Sequence, residues 1–226
     1  MYIELKDIEK TIGANTVLSD INVRLESGNI YGLKGKNGSG KTMLMRIICG
    51  LIRPSRGEVS IDGKILHKDI SFPESIGVLI ENPAFLSQYS GFDNLKLLSS
   101  IKKIIKDEDI IRTIEKVGLD PHDKKKYKKY SLGMKQKLGI ACAIMEKPDI
   151  IILDEPVNAV DEDGVKRIRE ILCELKNENK IIILACHDKE ELYFLSDNII
   201  EIENGRIKDV YKLTDEKGEK IDREID

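Results

Sequence analysis

No run of this sequence is apolar for long enough to cross a bilayer. The longest, such as Ile181 to Cys186, fall far short of the roughly 20 residues a membrane-spanning helix requires. Charge of one sign is lacking as well. The 37 basic and 40 acidic residues leave a formal net charge of -3, so no global field argues for wrapping nucleic acid or coating an anionic membrane. Cysteine is sparse and unpatterned. Cys49, Cys142, Cys173 and Cys186 lie far apart in apolar stretches, with no Cys-x-x-Cys pair and no histidine at metal-ligand spacing, and they read as buried thiols of a reducing compartment. The opening Met1-Tyr2-Ile3-Glu4-Leu5-Lys6-Asp7 puts acid among its first residues and has no continuous apolar core. The expectation is no secretory or transit signal and a chain that stays in the cytosol, docking at a membrane at most. Internal repeats and low-complexity linkers are absent too.

What is present is 226 residues that are 41% hydrophobic, enough for one substantial core. Short Ile-, Val- and Leu-rich runs alternate with helix-period stretches, the pattern of an α/β domain with a largely parallel sheet. Strands are predicted over 29–33, 76–80, 150–153, 181–185 and 198–202. The extended patterns at 2–8, 17–25 and 58–61 are bounded by turn signals and predict an antiparallel β layer beside the main sheet. Residues 85–147 have helical periodicity and much charge, which predicts a helical lobe inserted in a single domain over 1–213. The polar stretch 214–226 is expected to form a loose tail.

The strongest chemical signal is Gly35-Lys36-Asn37-Gly38-Ser39-Gly40-Lys41-Thr42, between a predicted strand and the apolar-periodic helix 42–49. It fits the phosphate-loop pattern G-x-x-x-x-G-K-[ST]. Glycines let the backbone curl so that N–H groups face phosphate oxygens, and the helix presents its positive end to the same anion. Lys41 would reach the β- and γ-phosphates of ATP and the Thr42 hydroxyl would bind Mg²⁺. The plain alternative is a Gly-rich turn that only links strand to helix. The buried run Ile150 to Leu153 ends in Asp154 and Glu155, which sets two carboxylates at the carboxyl edge of a parallel sheet, where ligand sites form. Asp154 is expected on the Mg²⁺ side and Glu155 to polarise the attacking water; a solvated acidic turn before Pro156 is the alternative. His187 follows the run 181–186 and is expected near the γ-phosphate, or as a polar strand cap. His67 and His122 read as ordinary surface residues.

In this order, the phosphate loop, then Tyr130-Ser131-Leu132-Gly133-Met134-Lys135-Gln136, then 150–155, then Asn158-Ala159-Val160-Asp161, then His187, the chain resembles the ATP-binding cassette family over nearly its whole length. Ser131 lies 23 positions before Asp154 (154 minus 131), a serine-glycine signature characteristic of that family. Without the resemblance, 130–136 reads as a loop entering a helix over 134–145 with Ser131 as N-cap.

The resemblance implies an ATPase that uses ATP and Mg²⁺. Ser131, Leu132, Gly133 and Met134 would act on ATP held by a second cassette subunit, identical or different, with Asp161 as a dimer contact and His187 as the switch histidine. It also implies a separate membrane permease as partner, with the chain peripheral on the inner face of the membrane. Three departures stand out. Leu132-Gly133-Met134 replaces glycine-glycine-glutamine, a variant associated with antibiotic and peptide exporters. Glu81 replaces the switch glutamine; it can hold Mg²⁺ or a water but cannot donate a hydrogen bond while ionised. Ile12 replaces the aromatic that stacks on adenine. The family also docks its permease through the segment after the switch residue, here 83–92, where Phe85, Leu86, Tyr89 and Phe92 either form a docking patch or close the lobe's own core. The run Lys124 to Lys129 reads as a solvated loop, with no nucleic acid partner expected. A soluble cassette ATPase outside transport and a regulatory nucleotide-binding module are the alternatives. The first usually has two cassettes or a long coiled-coil insertion, and the second has no use for both Glu155 and His187.

Overall fold

The computed structural model of the chain describes residues 1–213 and 220–221. Most of the expected tail, 214–219 and 222–226, therefore lies outside the described residues. Two sheets organise the rest. β1 (Tyr2–Ile12), β2 (Asn15–Glu26), β4 (Arg56–Ile61) and β5 (Lys64–Ile65) form an antiparallel sheet in the order β2-β1-β4-β5. The main sheet has the order β11-β10-β9-β3-β8-β7-β6, made of β3 (Asn29–Lys34), β6 (Ile76–Leu79), β7 (Ile150–Asp154), β8 (Ile181–Ala185), β9 (Asn198–Glu203), β10 (Arg206–Leu213) and β11 (Lys220–Ile221). Strands β6, β7, β8, β3 and β9 are mutually parallel, while β10 and β11 close one edge antiparallel.

The isoleucine runs explain the layering. A strand points successive side chains to opposite faces, so an unbroken aliphatic run serves two cores at once. Ile151, Leu153, Ile182 and Leu184 pack into a core shared with the helices, whereas Ile150, Ile152, Ile181 and Ile183 pack against the antiparallel layer. Helix α1 (Lys41–Ile48) is sandwiched on that second side through Leu44, Met45, Ile47 and Ile48.

Between β6 and β7 run α2 (Gly91–Lys102), α3 (Asp107–Lys116), a 3₁₀ turn (Tyr127–Lys129) and α4 (Leu132–Ile144). α4 starts at Leu132, two residues before the expected start, because the Ser131 hydroxyl accepts from the Met134 N–H at 3.2 Å and caps it there. α5 (Glu162–Asn177) and α6 (Lys189–Leu195) complete the helical side. Phe85 and Phe92 pack against the helical core while Leu86 and Tyr89 are exposed, so the apolar cluster at 85–92 divides between the two expected uses. Tyr127, the aromatic within the lysine run, is buried and donates to the Pro83 carbonyl.

Two side chains depart from expectation. Cys173 is exposed, since Ile168, Ile171, Leu172 and Leu175 occupy the buried face of α5 and position 173 falls on the other side of a 3.6-residue turn. His67 is half-buried, with its backbone in the left-handed region at φ 62.

Asp197 ties three elements together. Its carboxylate accepts from the Ile30 N–H at 2.8 Å and from Lys176 Nζ at 2.5 Å, and its carbonyl accepts from the Leu213 N–H at 2.7 Å. Asp197→Ala would leave the amide that starts β3 and the ammonium at the end of α5 without their partner. A loss of about 1–3 kcal/mol is expected, measured as a lower urea midpoint, with Asp197→Asn losing less.

Candidate functional site

The phosphate loop leaves the carboxyl end of β3 and enters α1. Gly40 has φ 110, and a Cβ there would sit 2.6 Å from Leu18 Cδ2 of β2; only glycine takes that conformation in that space. Lys41 Nζ donates to the carbonyls of Gly35 at 2.7 Å and Lys36 at 3.1 Å, spanning the loop from within. The Gly205 N–H donates to the Ser39 carbonyl at 3.1 Å and fastens the loop to the β9–β10 turn.

Register brings the second half of the site alongside. Leu33 of β3 pairs with Ala185 of β8, and Ala185 pairs with Asp154 of β7. These three residues form one row across the sheet, so Gly35, Glu155 and His187 emerge together just beyond it. The Thr42 hydroxyl donates to Asp154 Oδ2 at 2.9 Å. A cleft of about 400 Å³ is lined by Val17, Lys41, Thr42, Asp154, Glu155 and His187, among others.

Glu155 is the most constrained of these. Its φ of 54 places a non-glycine residue in the left-handed region, a conformation that persists only when neighbours over-determine it. Its N–H donates to the Ala185 carbonyl at 2.9 Å, its carbonyl accepts from Gln136 Nε2 at 2.8 Å, and its Oε2 accepts from the His187 N–H at 2.9 Å. The His187 ring stands 3.6 Å from Oε1. Burial raises the Glu155 carboxyl above its ordinary value, and the nearby Asp154 charge adds to this, while the His187 N–H and ring and Lys41 oppose it.

Other expected residues lie elsewhere. Ile12, at the end of β1, is 52% exposed and outside the cleft lining; Val17 of β2 is the aliphatic residue of that region that lines it. Glu81 is also outside the lining and forms an ion pair at 2.5 Å with Arg46 of α1. The signature and the Asp161 loop pack on each other within the chain. A Cβ on Gly133 would meet the Ala159 carbonyl at 2.7 Å, and Lys137 pairs with Asp161 at 2.7 Å. Ser131 and Leu132 remain exposed beside that contact.

Sequence reasoning missed Gln136, Lys137, Arg46 and Val17. Gln136 is the polar residue among the otherwise apolar buried positions of α4, and such groups are hydrogen-bonded.

As for a metal, Thr42 Oγ1 and Asp154 Oδ2 are adjacent hard oxygens on the cleft. No cluster of three or more His, Cys, Asp or Glu that could hold an ion occurs among the described residues. A protein donor set this small suits Mg²⁺, which binds through one or two protein groups plus substrate phosphates and water.

Comparison with known proteins decides the family. Residues 18–158 match the family model described as ABC transporter. An uncharacterized ABC transporter ATP-binding protein of Bacillus subtilis, YybJ, is 50% identical over 211 residues, 93% of this chain and 97% of its own length. The chain belongs to the ABC transporter family, as an ATP-binding subunit. The bacitracin transport ATP-binding protein BcrA of Enterococcus faecalis is 35% identical over 94% of this chain and 71% of its own. The lantibiotic transport ATP-binding protein SrtF of Streptococcus pyogenes is 34% identical over 91% and 88%. A solved ATP-binding subunit of an ABC transporter superposes with a TM-score of 0.85 at 26% identity, covering 94% of this chain and 90% of that one. A dimeric cassette in a post-hydrolysis state with ADP and Pi shares the fold, with a TM-score of 0.84 at 22% identity over 93% and 98%.

Lys41→Ala removes the cation that spans the loop. ATP affinity is expected to fall by at least about tenfold, the scale of one lost hydrogen bond to a charged group. Calorimetry finding unchanged affinity would count against this cleft as the nucleotide site.

Proposed function

We propose that the chain hydrolyses ATP as half of a two-cassette assembly and so drives a separate permease that exports an antibiotic, a peptide or a similar substrate. The observation that carries the reading is the Glu155 carboxylate, held at the cleft between the His187 N–H and the phosphate loop, 2.9 Å from that N–H and raised in pKa by burial. A desolvated carboxylate with a raised pKa is a better proton acceptor than an exposed one. On this reading Glu155 takes the attacking water's proton as the water oxygen bonds to the γ-phosphorus and the bond from that phosphorus to the β–γ bridging oxygen breaks, so that ADP leaves with the electron pair and phosphate is released. His187 orients Glu155 through its backbone N–H and faces the γ-phosphate. Lys41 turns from the loop carbonyls to the phosphate oxygens, joined by the backbone N–H groups of 35–42. Thr42 and Asp154 would hold Mg²⁺, which when bound would neutralise charge developing on the phosphates.

The second half of the site is supplied in trans. Ser131 caps α4 with its side chain exposed, and a helix N-terminus with a hydroxyl and free N–H groups is an anion site. The partner's γ-phosphate fits there, with Asp161 and the residues around it at the dimer contact. Within each chain the Gln136 to Glu155 hydrogen bond, 2.8 Å long, links signature helix to catalytic strand end, so closure at one site is felt at the other.

The permease reading rests on an apolar groove of about 580 Å³, whose lining includes Ile80, Pro83, Phe85, Leu86, Leu97 and Leu98. No helix among the described residues is long and apolar enough to cross a membrane, and the subunit works from the inner membrane face through that groove. The relatives named for bacitracin and lantibiotic transport, together with the Leu132-Gly133-Met134 signature, favour export and set aside the soluble alternative.

Two outcomes test this. Glu155→Gln should keep ATP binding and lower hydrolysis by about 10² or more. A carboxyl whose folded pKa is raised takes up its proton at higher pH as the solution is acidified. The acid limb of the wild-type rate should therefore lie above the ordinary Glu range, and the residual rate of Glu155→Gln should lack that limb; near-normal activity in the variant would rule the role out. Mixing Glu155→Gln with Ser131→Arg chains should restore part of the ATPase rate, since one intact site can assemble from the two, whereas a rate independent of protein concentration and of Ser131→Arg would sink the composite site. If the chain pairs with a different cassette, the mixture is made with that partner.

A further inference from the structure

β3 brings Gly32 and Lys34 to the face on which α6 lies. Successive side chains of a strand point to opposite faces, and Ile30 packs in the core shared with the helices, so positions 32 and 34 face that side as well. A Cβ on Gly32 would sit 2.9 Å from Leu192 Cδ1 of α6 and would collide with Ser196 Oγ. Its absence lets α6 rest directly on the strand. Lys34 is the last residue of β3 and the neighbour of Gly35 in the phosphate loop. Its half-buried Nζ donates to Glu201 Oε2 of β9 at 2.9 Å and to the Tyr211 hydroxyl of β10 at 3.4 Å, and stands 5.7 Å from the centre of the Tyr193 ring of α6. The Tyr193 and Tyr211 hydroxyls are 3.1 Å apart. One ammonium thus gathers two strands and a helix at the stem of the phosphate loop.

What α6 carries gives this cluster its bearing on the site. The helix is capped by Asp188, which accepts from the Glu190 and Glu191 N–H groups at 2.8 and 3.2 Å. The residue before the cap is His187, whose N–H donates to Glu155 Oε2 at 2.9 Å. A helix of seven residues is too short to hold its own shape and place, so its position is set by what it packs on. Arg169 ties it to α5 through Glu191, whereas the Lys34 cluster ties it to the strand from which the phosphate loop leaves. Lys34, Leu192 and His187 line one cleft of about 700 Å³ on the flank of that loop. Asn37, Gly38 and His187 also line the cleft that holds Lys41 and Glu155, and Lys34 does not.

We propose that Lys34 is a positioning residue for ATP hydrolysis, holding α6 through Tyr193 and Tyr211 so that His187 keeps a fixed place relative to the phosphate loop. The inference rests on the reading that Glu155 and His187 serve the γ-phosphate. A partly desolvated cation is drawn to an aromatic face more strongly than an exposed one, and the paired hydroxyls give the contact a direction as well as an attraction.

Lys34→Met keeps nearly the length of the side chain and removes its charge, and Glu201 retains Lys208 at 3.6 Å. With the full chain assembled as for the wild type, kcat is expected to fall about tenfold or more, since misplacement of a site by about 1 Å costs on that scale. KM for ATP, and ATP affinity by calorimetry, should stay within about threefold, because an effect confined to the transition state leaves ground-state binding alone. Lys34→Arg, which returns a cation with donors, should recover most of the rate. Tyr193→Leu should lower kcat in the same manner, and the double variant should be no slower than the slower single one, since both changes break one link. Urea midpoints establish that each variant is folded; should Lys34→Met not fold, Tyr193→Leu supplies the same reading. ATP affinity that falls in step with the rate, a rate equally low in Lys34→Arg, or losses that simply add in the double variant would overturn the proposal. His187→Ala separates it from the reading beneath it. A full rate in that variant overturns the reading and the proposal together, whereas a lowered rate there beside a full rate in Lys34→Met overturns the proposal alone.

Discussion

The parallel register of β3, β8 and β7 is the constraint on which the rest of the molecule depends. Leu33, Ala185 and Asp154 stand in one row, and three segments that are remote in sequence leave that row on the same edge. A slip of one residue in any of these pairings would turn a strand's aliphatic side chains from one core to the other. The two cores therefore hold the register, and the register holds the site. Chemistry at the cleft depends on Ile150 to Leu153 and Ile181 to Ala185 being buried on both faces.

Around that row the polar groups form couplings instead of isolated contacts. Glu155 joins β7 to β8 through its N–H, to α4 through its carbonyl, and to His187 through its carboxylate. Lys137 of the same helix pairs with Asp161, and Gly133 leaves room for the Ala159 carbonyl. Signature helix, strand-end acid and the 158–161 loop are thus one mechanical unit. A displacement of α4 alters the surroundings of Glu155. Arg46 and Glu81 make a parallel link between α1 and the segment that enters the groove, although exposed pairs of this kind add little to stability.

Much of the architecture was legible because its causes are local. The strands at 29–34, 76–79, 150–154, 181–185 and 198–203 correspond to aliphatic runs, and the antiparallel layer to short alternating segments with Gly and Asn turns. Strand β10 escaped notice because Arg206 to Leu213 is half polar, and its pairing with β9 is imposed by the neighbour and not by its own pattern. Cys173 and His67 were misjudged for related reasons. An apolar stretch does not tell which helical face a residue takes, and a lone histidine in a polar turn gives no sign that its side chain is half-buried.

By itself the sequence determined the chemistry available: the curl of the phosphate loop through Gly38 and Gly40, the cation at Lys41, the paired acids at 154 and 155, and the capping serine at 131. These are properties of adjacent residues, and short-range sterics and hydrogen bonding suffice for them. Only the tertiary structure decided which of these groups share a cleft. It set Val17 on the lining and Ile12 off it, paired Glu81 with Arg46, buried Gln136 against the Glu155 carbonyl, and raised the Glu155 carboxyl by taking it out of water. Such outcomes are set by contacts between segments remote in sequence, 112 positions apart for Thr42 and Asp154, and no local pattern carries information about the desolvation or the partner that a side chain meets there.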